Sequence, residues 1–197
     1  VEKIIAEQFH EQEKNNKLMI SILSHIVEFR NGESGLHILH VNTITKYLLK
    51  QLVQRTDKYP LSKSDITLIS TASSLHDIGK ISISDTILNK PGRLTAEEFE
   101  VMKTHSAIGG KILMELPMEQ QKAPLVKVAF EICRWHHERY DGNGYPDGLK
   151  GEEIPIAAQV VALADVYDAL ISKRCYKNAY SHDEALKMIL EDRKSVV

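Results

Sequence analysis

Cysteine is scarce in this chain. Cys133 and Cys175 are the only two in 197 residues, and neither their number nor their spacing suits a disulfide framework or a cysteine-ligated zinc site. That scarcity points to a reducing, cytoplasmic setting. Excess charge is also lacking. The formal net charge of −2 speaks against a broad surface for a DNA or RNA polymer or an anionic membrane, while leaving room for a local basic pocket. No apolar run approaches the ~20 residues that span a bilayer, and no secretory leader is visible. Alternating apolar and polar residues, the mark of a half-buried strand, are missing too.

What remains is helix. Hydrophobic residues make up 43% and charged residues 26%, enough apolar material for one domain with a real core. Residues 1–29 read as a helix free of proline and glycine, with Leu18, Met19, Ile22, Leu23, Ile26 and Val27 at helical spacing. This segment is expected to connect to an upstream receiver or sensor module and to pair with its twin in a homodimer. The chain begins at Val1, as a piece of a longer protein would. The domain proper is expected over residues 30–197.

The remaining helices are marked by their ends. Ser34 is a candidate N-cap for a helix carrying Ile38, Ile44, Leu48 and Leu52. Ser62 with Asp65, and Thr95 with Glu98, have the spacing of capping boxes, and Ser181 with Glu184 repeats it. Residues 81–94 read as a loop, with Asn89-Lys90-Pro91-Gly92 as its turn. One helix is expected from Pro124 to Trp135 and another from Pro155 to Ile171. The sum is an all-α bundle of about seven helices.

Histidine is abundant, with nine residues. His76-Asp77 follows the apolar helical segment Ile66–Leu75 and precedes Gly79 and Lys80. Imidazole nitrogen and carboxylate oxygen both ligate metals, although such a pair alone is a common helix end. Glu33 and His37 stand one helical turn apart and share a face. His105 lies on the helix opened by Thr95. His136-His137-Glu138 directly precedes a glycine-rich loop containing Tyr145, an aromatic face on which a base can stack. Asp165 interrupts the apolar run Val160–Val166, where a lone carboxylate is costly without a metal or hydrogen-bond partner. Asp168 is one turn further on. Arg174 suits bidentate phosphate binding and Lys177 offers a point charge. Ligand-type residues on several helices, nearly all beside a small residue, a helix end or an apolar run, form the pattern of a multinuclear metal site in a bundle core.

These residues resemble the HD-GYP domains, a branch of the HD phosphohydrolase superfamily, over roughly residues 30–190. His76-Asp77-Ile78-Gly79-Lys80 is similar to the HD-x-G-K motif of that family. His136-His137-Glu138 with Asp141-Gly142-Asn143-Gly144-Tyr145-Pro146 is similar to its long signature, and Ala164–Leu170 with Arg174 and Lys177 to its closing motif. His40 stands where many members carry Arg, Ser84 where Pro is usual, and Cys175 where Pro often precedes Tyr.

The resemblance implies an HD-type bundle that hydrolyses cyclic di-GMP to linear pGpG or GMP at two or three divalent metals, iron or manganese. His37, His76, Asp77, His105, His136, His137 and Asp165 match the metal positions, and Glu33 matches the carboxylate associated with a third ion. Lys80 would act with His76 and Asp77 in catalysis. Tyr145, Asp168, Arg174 and Lys177 would hold the substrate. The alternatives are a hydrolase of another cyclic dinucleotide such as cyclic GMP-AMP, a catalytically silent HD signalling module, and a di-iron oxygenase on an HD scaffold. Lys80, Arg174 and Lys177 favour a phosphate over an uncharged substrate.

Overall fold

The computed structural model describes residues 2–31, 36–172 and 179–191; the side chains of residues 2–4, 6, 9 and 10 are not among those described. Among the described residues every regular element is a helix. Seven helices of ten residues or more are α1 (Glu2–Arg30), α2 (Leu36–Arg55), α3 (Lys63–Ser73), α5 (Ala96–Met114), α7 (Pro124–Trp135), α8 (Ile156–Ile171) and α9 (His182–Glu191). Two single-turn helices, α4 (Asp85–Leu88) and α6 (Met118–Gln121), and two 3-10 turns, Ile78–Ser82 and Gly151–Glu153, complete the set.

Local chemistry explains the boundaries. Ser62 Oγ accepts the Asp65 N–H while the Asp65 carboxylate accepts the Ser62 N–H, so α3 opens with a reciprocal cap. Thr95 and Glu98 do the same for α5, and Ser181 and Glu184 for α9. Pro124 sits in the first turn of α7, where its missing N–H costs nothing. The span expected to be a loop, residues 81–94, contains α4, opened by the Ser84 hydroxyl accepting the Thr86 N–H. One turn is too short to show a period in the sequence. The expected Ser34 cap lies outside the described residues.

Helices α2, α3, α5, α7 and α8 surround one core. Val41 and Leu49 of α2 meet Ile66, Ile69 and Ala72 of α3, Ala129, Ile132 and Cys133 of α7, and Ala157, Val161 and Ala164 of α8. The Cys133 thiol donates to the carbonyl of Leu75 at 3.0 Å, fixing α7 against the residue before His76. Burial pushes that thiol's pKa up, so it serves packing rather than nucleophilic chemistry.

Helix α1 is attached at its C-terminal end. Ser24, Val27 and Glu28 face inward and are buried, whereas Leu18, Met19, Ile22, Leu23, Ile26 and Phe29 are exposed. The Arg30 guanidinium donates to the carbonyls of Ile81 (2.6 Å) and Ile83 (3.1 Å) and to the Asp85 carboxylate (2.7 Å). The last turn of α1 is thereby tied to the segment that follows His76-Asp77.

Candidate metal centre

Five segments bring their polar side chains to one buried place. His37 comes from the first turn of α2, His76 and Asp77 from the turns after α3, His105 from α5, His136 and His137 from the end of α7, and Asp165 from α8. Two groups of donor atoms result: Asp77, His105, His136 and His137, and beside it His37, His76 and Asp165. Asp77 joins them. Its Oδ1 lies 3.2 Å from His105 Nε2 and 3.7 Å from His136 Nε2, and its Oδ2 lies 3.3 Å from His76 Nε2.

The backbone sets the imidazoles. Nδ1–H of His76 donates to the Ser73 carbonyl (2.9 Å), that of His105 to Met102 (2.6 Å) and that of His136 to Ile132 (2.9 Å). Each acceptor lies three or four residues earlier, which is the reach of a helical side chain folded back on its own turn. Each Nδ1 is thereby the ring nitrogen committed to the backbone, and Nε2 is the nitrogen turned to the centre. Nε2 of His76, His105 and His136 and Oδ1 of Asp77 are buried and have no hydrogen-bond partner. Buried polar atoms left in this state are costly, and a cation that they ligate removes the cost. The donor set of imidazole nitrogens and carboxylate oxygens therefore fits a divalent metal ion.

The electrostatics agree. Burial alone would lower the His76 pKa, but the adjacent Asp77 carboxylate outweighs it and holds the ring at about 9. Burial opposes ionisation of Asp77; Lys80 and His76 overcome it and keep its carboxyl well below the usual range. Lys80 Nζ is 2.6 Å from Asp77 Oδ2, which places the cation at the carboxylate joining the two groups. His136 is lowered by burial, and His137 is lowered further by burial and the neighbouring His136 and His105. Both stay neutral near pH 7, as ligands must.

The glycine-rich loop closes over His137. Tyr145 stacks on the His137 ring with centroids 4.8 Å apart and planes 26° apart. Gly144 is required because a Cβ there would sit 2.3 Å from the Arg139 nitrogen. Glu138 is 5% exposed and is not aimed at the metal group. Its carboxylate accepts the N–H groups of Asp147 (2.7 Å), Gly148 (3.1 Å) and Leu149 (3.0 Å), pinning the loop. Beside the loop lies a cavity of about 350 Å³, lined by Phe99, Lys103, His136, His137, Asn143 and Tyr145 among others. Lys103 Nζ stands 5.6 Å from the ring centroids of both Phe99 and Tyr145.

Two expectations change. Asp168, expected to hold substrate, is 1% exposed. His37 Nδ1–H donates to one of its oxygens at 2.7 Å, and His40 Nδ1–H (2.8 Å) and the Ser172 hydroxyl (3.1 Å) donate to the other. It orients His37 and is closed to a ligand. Burial resists its ionisation, and the His37 and His40 hydrogen bonds bring its pKa below the usual value. Its partners in α2 are 131 and 128 residues away, a separation at which the sequence offers no signal. The second change is a residue the sequence reading passed over: Glu28, 3% exposed, whose Oε1 is 3.9 Å from His37 Nε2. Glu33, Arg174 and Lys177 lie outside the described residues.

Comparison with known proteins places these features. The family model for the HD domain matches residues 12–197. The chain is 44% identical over 189 residues to a probable cyclic di-GMP phosphodiesterase of Vibrio cholerae, covering 94% of this chain and 42% of that protein. It is 37% identical to 3′3′-cGAMP-specific phosphodiesterase 2 of the same organism, covering 91% of this chain and 32% of that one. A crystal structure of a cyclic GMP-AMP-specific phosphodiesterase from V. cholerae superposes with a TM-score of 0.62 at 20% identity, over 91% of this chain and 45% of that one. The chain thus spans less than half the length of these relatives. The family match over nearly the whole chain, the His76-Asp77 centre and the Gly144-Tyr145-Pro146 loop agree: the chain belongs to the HD domain family, in its HD-GYP branch.

Proposed function

We propose that this chain is a metal-dependent phosphodiesterase that opens cyclic di-GMP to linear pGpG, GMP or both. The observation that carries the reading is Asp77, whose two oxygens face two groups of histidine Nε2 atoms while Lys80 stands against one of them. His37, His76, Asp77, His105, His136, His137 and Asp165 would hold two divalent ions, and Glu33 would help to hold a third. When bound, such ions activate water and stabilise the entering and leaving oxygens of an in-line attack on phosphorus. The protein contributes the rest. The backbone carbonyls behind His76, His105 and His136 hold the lone pairs in place. Lys80 offsets negative charge on the phosphate or assists the leaving oxygen. Tyr145 offers the loop's aromatic surface to a base, and Arg174 and Lys177 grip phosphate oxygens.

This reading includes a cytoplasmic setting, in keeping with the absence of any helix long and apolar enough to cross a membrane among the described residues. It also includes an upstream receiver or sensor module and a homodimer formed through α1, supported by that helix's exposed apolar face. A second substrate, cyclic GMP-AMP, is favoured by the relative of 37% identity that is specific for it.

The test uses protein purified without oxygen and counted for metal. It is offered cyclic di-GMP and 3′3′-cGAMP separately, and products are resolved by ion-exchange chromatography. Expected is turnover of cyclic di-GMP that is lost on chelation and in Asp77→Asn. Metal-replete protein that cleaves neither compound overturns the reading, and preference for 3′3′-cGAMP transfers it to the second substrate.

A further inference from the structure

The cavity beside the glycine-rich loop has a chemistry of its own. Its volume of about 350 Å³ lies within the ~300–1,000 Å³ of ordinary ligand sites. It reaches the candidate metal centre at His136 and His137, which line it. Helix α5 contributes Phe99 and Lys103, four residues apart and therefore on one face. The loop contributes Tyr145, and α8 contributes Ala162 and Val166.

This lining is largely apolar, and Phe99 is 48% exposed although it is aromatic. A phosphate stripped of water against such walls is disfavoured, whereas the flat face of a base stacks on aromatic carbon. Lys103 adds a polar element. Its Nζ stands 5.6 Å from the ring centroids of both Phe99 and Tyr145. An ammonium carries three N–H donors. The exposed Glu100 carboxylate engages it at 2.6 Å, and a surface pair of this kind restrains a lysine only weakly.

Among the bases, these groups select guanine. Guanine presents two acceptors, O6 and N7, on one edge, while adenine carries a donor amino group where guanine has O6. An ammonium attracts the first edge and meets a competing donor on the second.

We propose that this cavity is a guanine subsite, in which one base of the cyclic dinucleotide stacks against Phe99 and Tyr145 while Lys103 donates to O6 and N7. Lys103 is then a specificity-determining residue, selecting the base beside the metals. The inference rests on the phosphodiesterase reading and adds Phe99 and Lys103 to the substrate contacts.

The test uses the full 197-residue chain loaded with Mn²⁺, as wild type, Lys103→Met, Lys103→Arg and Phe99→Ala. KM is measured for cyclic di-GMP, and cyclic di-AMP is titrated as a competing ligand to give its Ki. Lys103→Met removes the donors at similar length. It should raise KM for cyclic di-GMP by about tenfold or more and leave the Ki of cyclic di-AMP within about twofold. Its Mn²⁺ count and far-ultraviolet circular dichroism should match wild type. Lys103→Arg keeps donors and should recover most of the preference for guanine. Phe99→Ala should weaken both compounds together, because stacking is indifferent to the base edge. An unchanged KM in Lys103→Met overturns the proposal. Equal weakening of both compounds in that variant also overturns it, by making Lys103 a phosphate contact. In either case an active wild type keeps the phosphodiesterase reading intact. Metal-replete wild type that cleaves no cyclic dinucleotide would overturn that reading, and the subsite with it.

Discussion

Gly79 lies against the backbone of His105 so closely that a Cβ at position 79 would sit 1.9 Å from the His105 carbonyl oxygen and 2.6 Å from the Gly109 nitrogen. The 3-10 turn after Asp77 and helix α5 touch there through backbone alone. This contact is what brings His105 Nε2 within 3.2 Å of Asp77 Oδ1. A side chain added at Gly79 would separate His105 from Asp77.

Gly79→Ala tests that relationship. The obstacle is backbone rather than a flexible side chain, so the turn and α5 must move apart, and overpacking of this kind costs about 1–3 kcal/mol. Urea unfolding should show a lowered midpoint, and metal bound per chain should fall because His105 is carried away from Asp77. A variant with wild-type metal content and midpoint would show that the approach is not what positions the ligand.

The His76 proton gives a prediction with a definite sign. Burial lowers the His76 pKa and Asp77 more than restores it, so the metal-free ring is protonated up to about pH 9. A ligand nitrogen must be deprotonated. Metal binding below pH 9 therefore expels one proton from His76, whereas His136 and His137, with lowered pKa values, have none to give. Apparent Mn²⁺ affinity should rise by about tenfold per pH unit between pH 7 and 9 and level off above. Calorimetric titration in two buffers of different ionisation enthalpy reads the proton directly. Affinity that is flat across this range would remove His76 from the ligand set or show its ring to be neutral already.

Much of this architecture is legible in the sequence because it depends on short-range chemistry. The reciprocal caps at Ser62–Asp65 and Thr95–Glu98 fix helix starts from residues three apart. The candidate ligand histidines His76 and His136 are recognisable because they follow apolar helical segments, and the carbonyls that orient His76, His105 and His136 lie within the same turn. What the sequence hides is whatever depends on which faces meet. Glu28 follows Ile26 and Val27 near the end of α1, and nothing local says which face of that helix turns inward; the docking of α1 at Arg30 does. Asp168 looks like a ligand-facing residue until α2 packs on α8 and delivers His37 and His40 to it. Glu138 is adjacent to two metal-type histidines, yet its helix ends there and the carboxylate turns to the loop backbone instead.

That last arrangement makes Glu138 a loop residue with a measurable signature. Glu138→Ala removes the acceptor for three N–H groups at once. With hydrogen bonds to a charged group worth about 1.5–3 kcal/mol each but not additive, a loss of about 2–4 kcal/mol is expected. Tyr145 is released from its stacking position on His137 as the loop loosens. The Mn²⁺ count should therefore remain near wild type while KM for the cyclic dinucleotide rises, and Glu138→Gln, which keeps an acceptor oxygen, should recover part of both. Loss of metal with unchanged KM would instead make Glu138 a ligand.

The outer face of α1 leads to the final prediction. Met19, Ile22, Ile26 and Phe29 follow one another at intervals of three, four and three residues, and Leu18 and Leu23 flank them. All are exposed, Phe29 to 80%, while the opposite face of the helix packs on the domain through Ser24, Val27 and Glu28. An apolar stripe on the face turned away from the domain calls for a cover of its own. The 3-4-3 spacing is the coiled-coil seam, in which a helix pairs with a copy of itself. The stripe covers only about two heptads, so a helix pair alone would be weak and concentration-dependent. Sedimentation velocity across a hundredfold range of protein concentration should show a monomer–dimer equilibrium, and Ile22→Glu with Ile26→Glu should abolish the dimer without changing Mn²⁺ content, because both side chains are exposed on the outer face of α1. A monomer at every concentration would dismiss self-pairing through α1. A double variant that stays dimeric would move the interface to another surface.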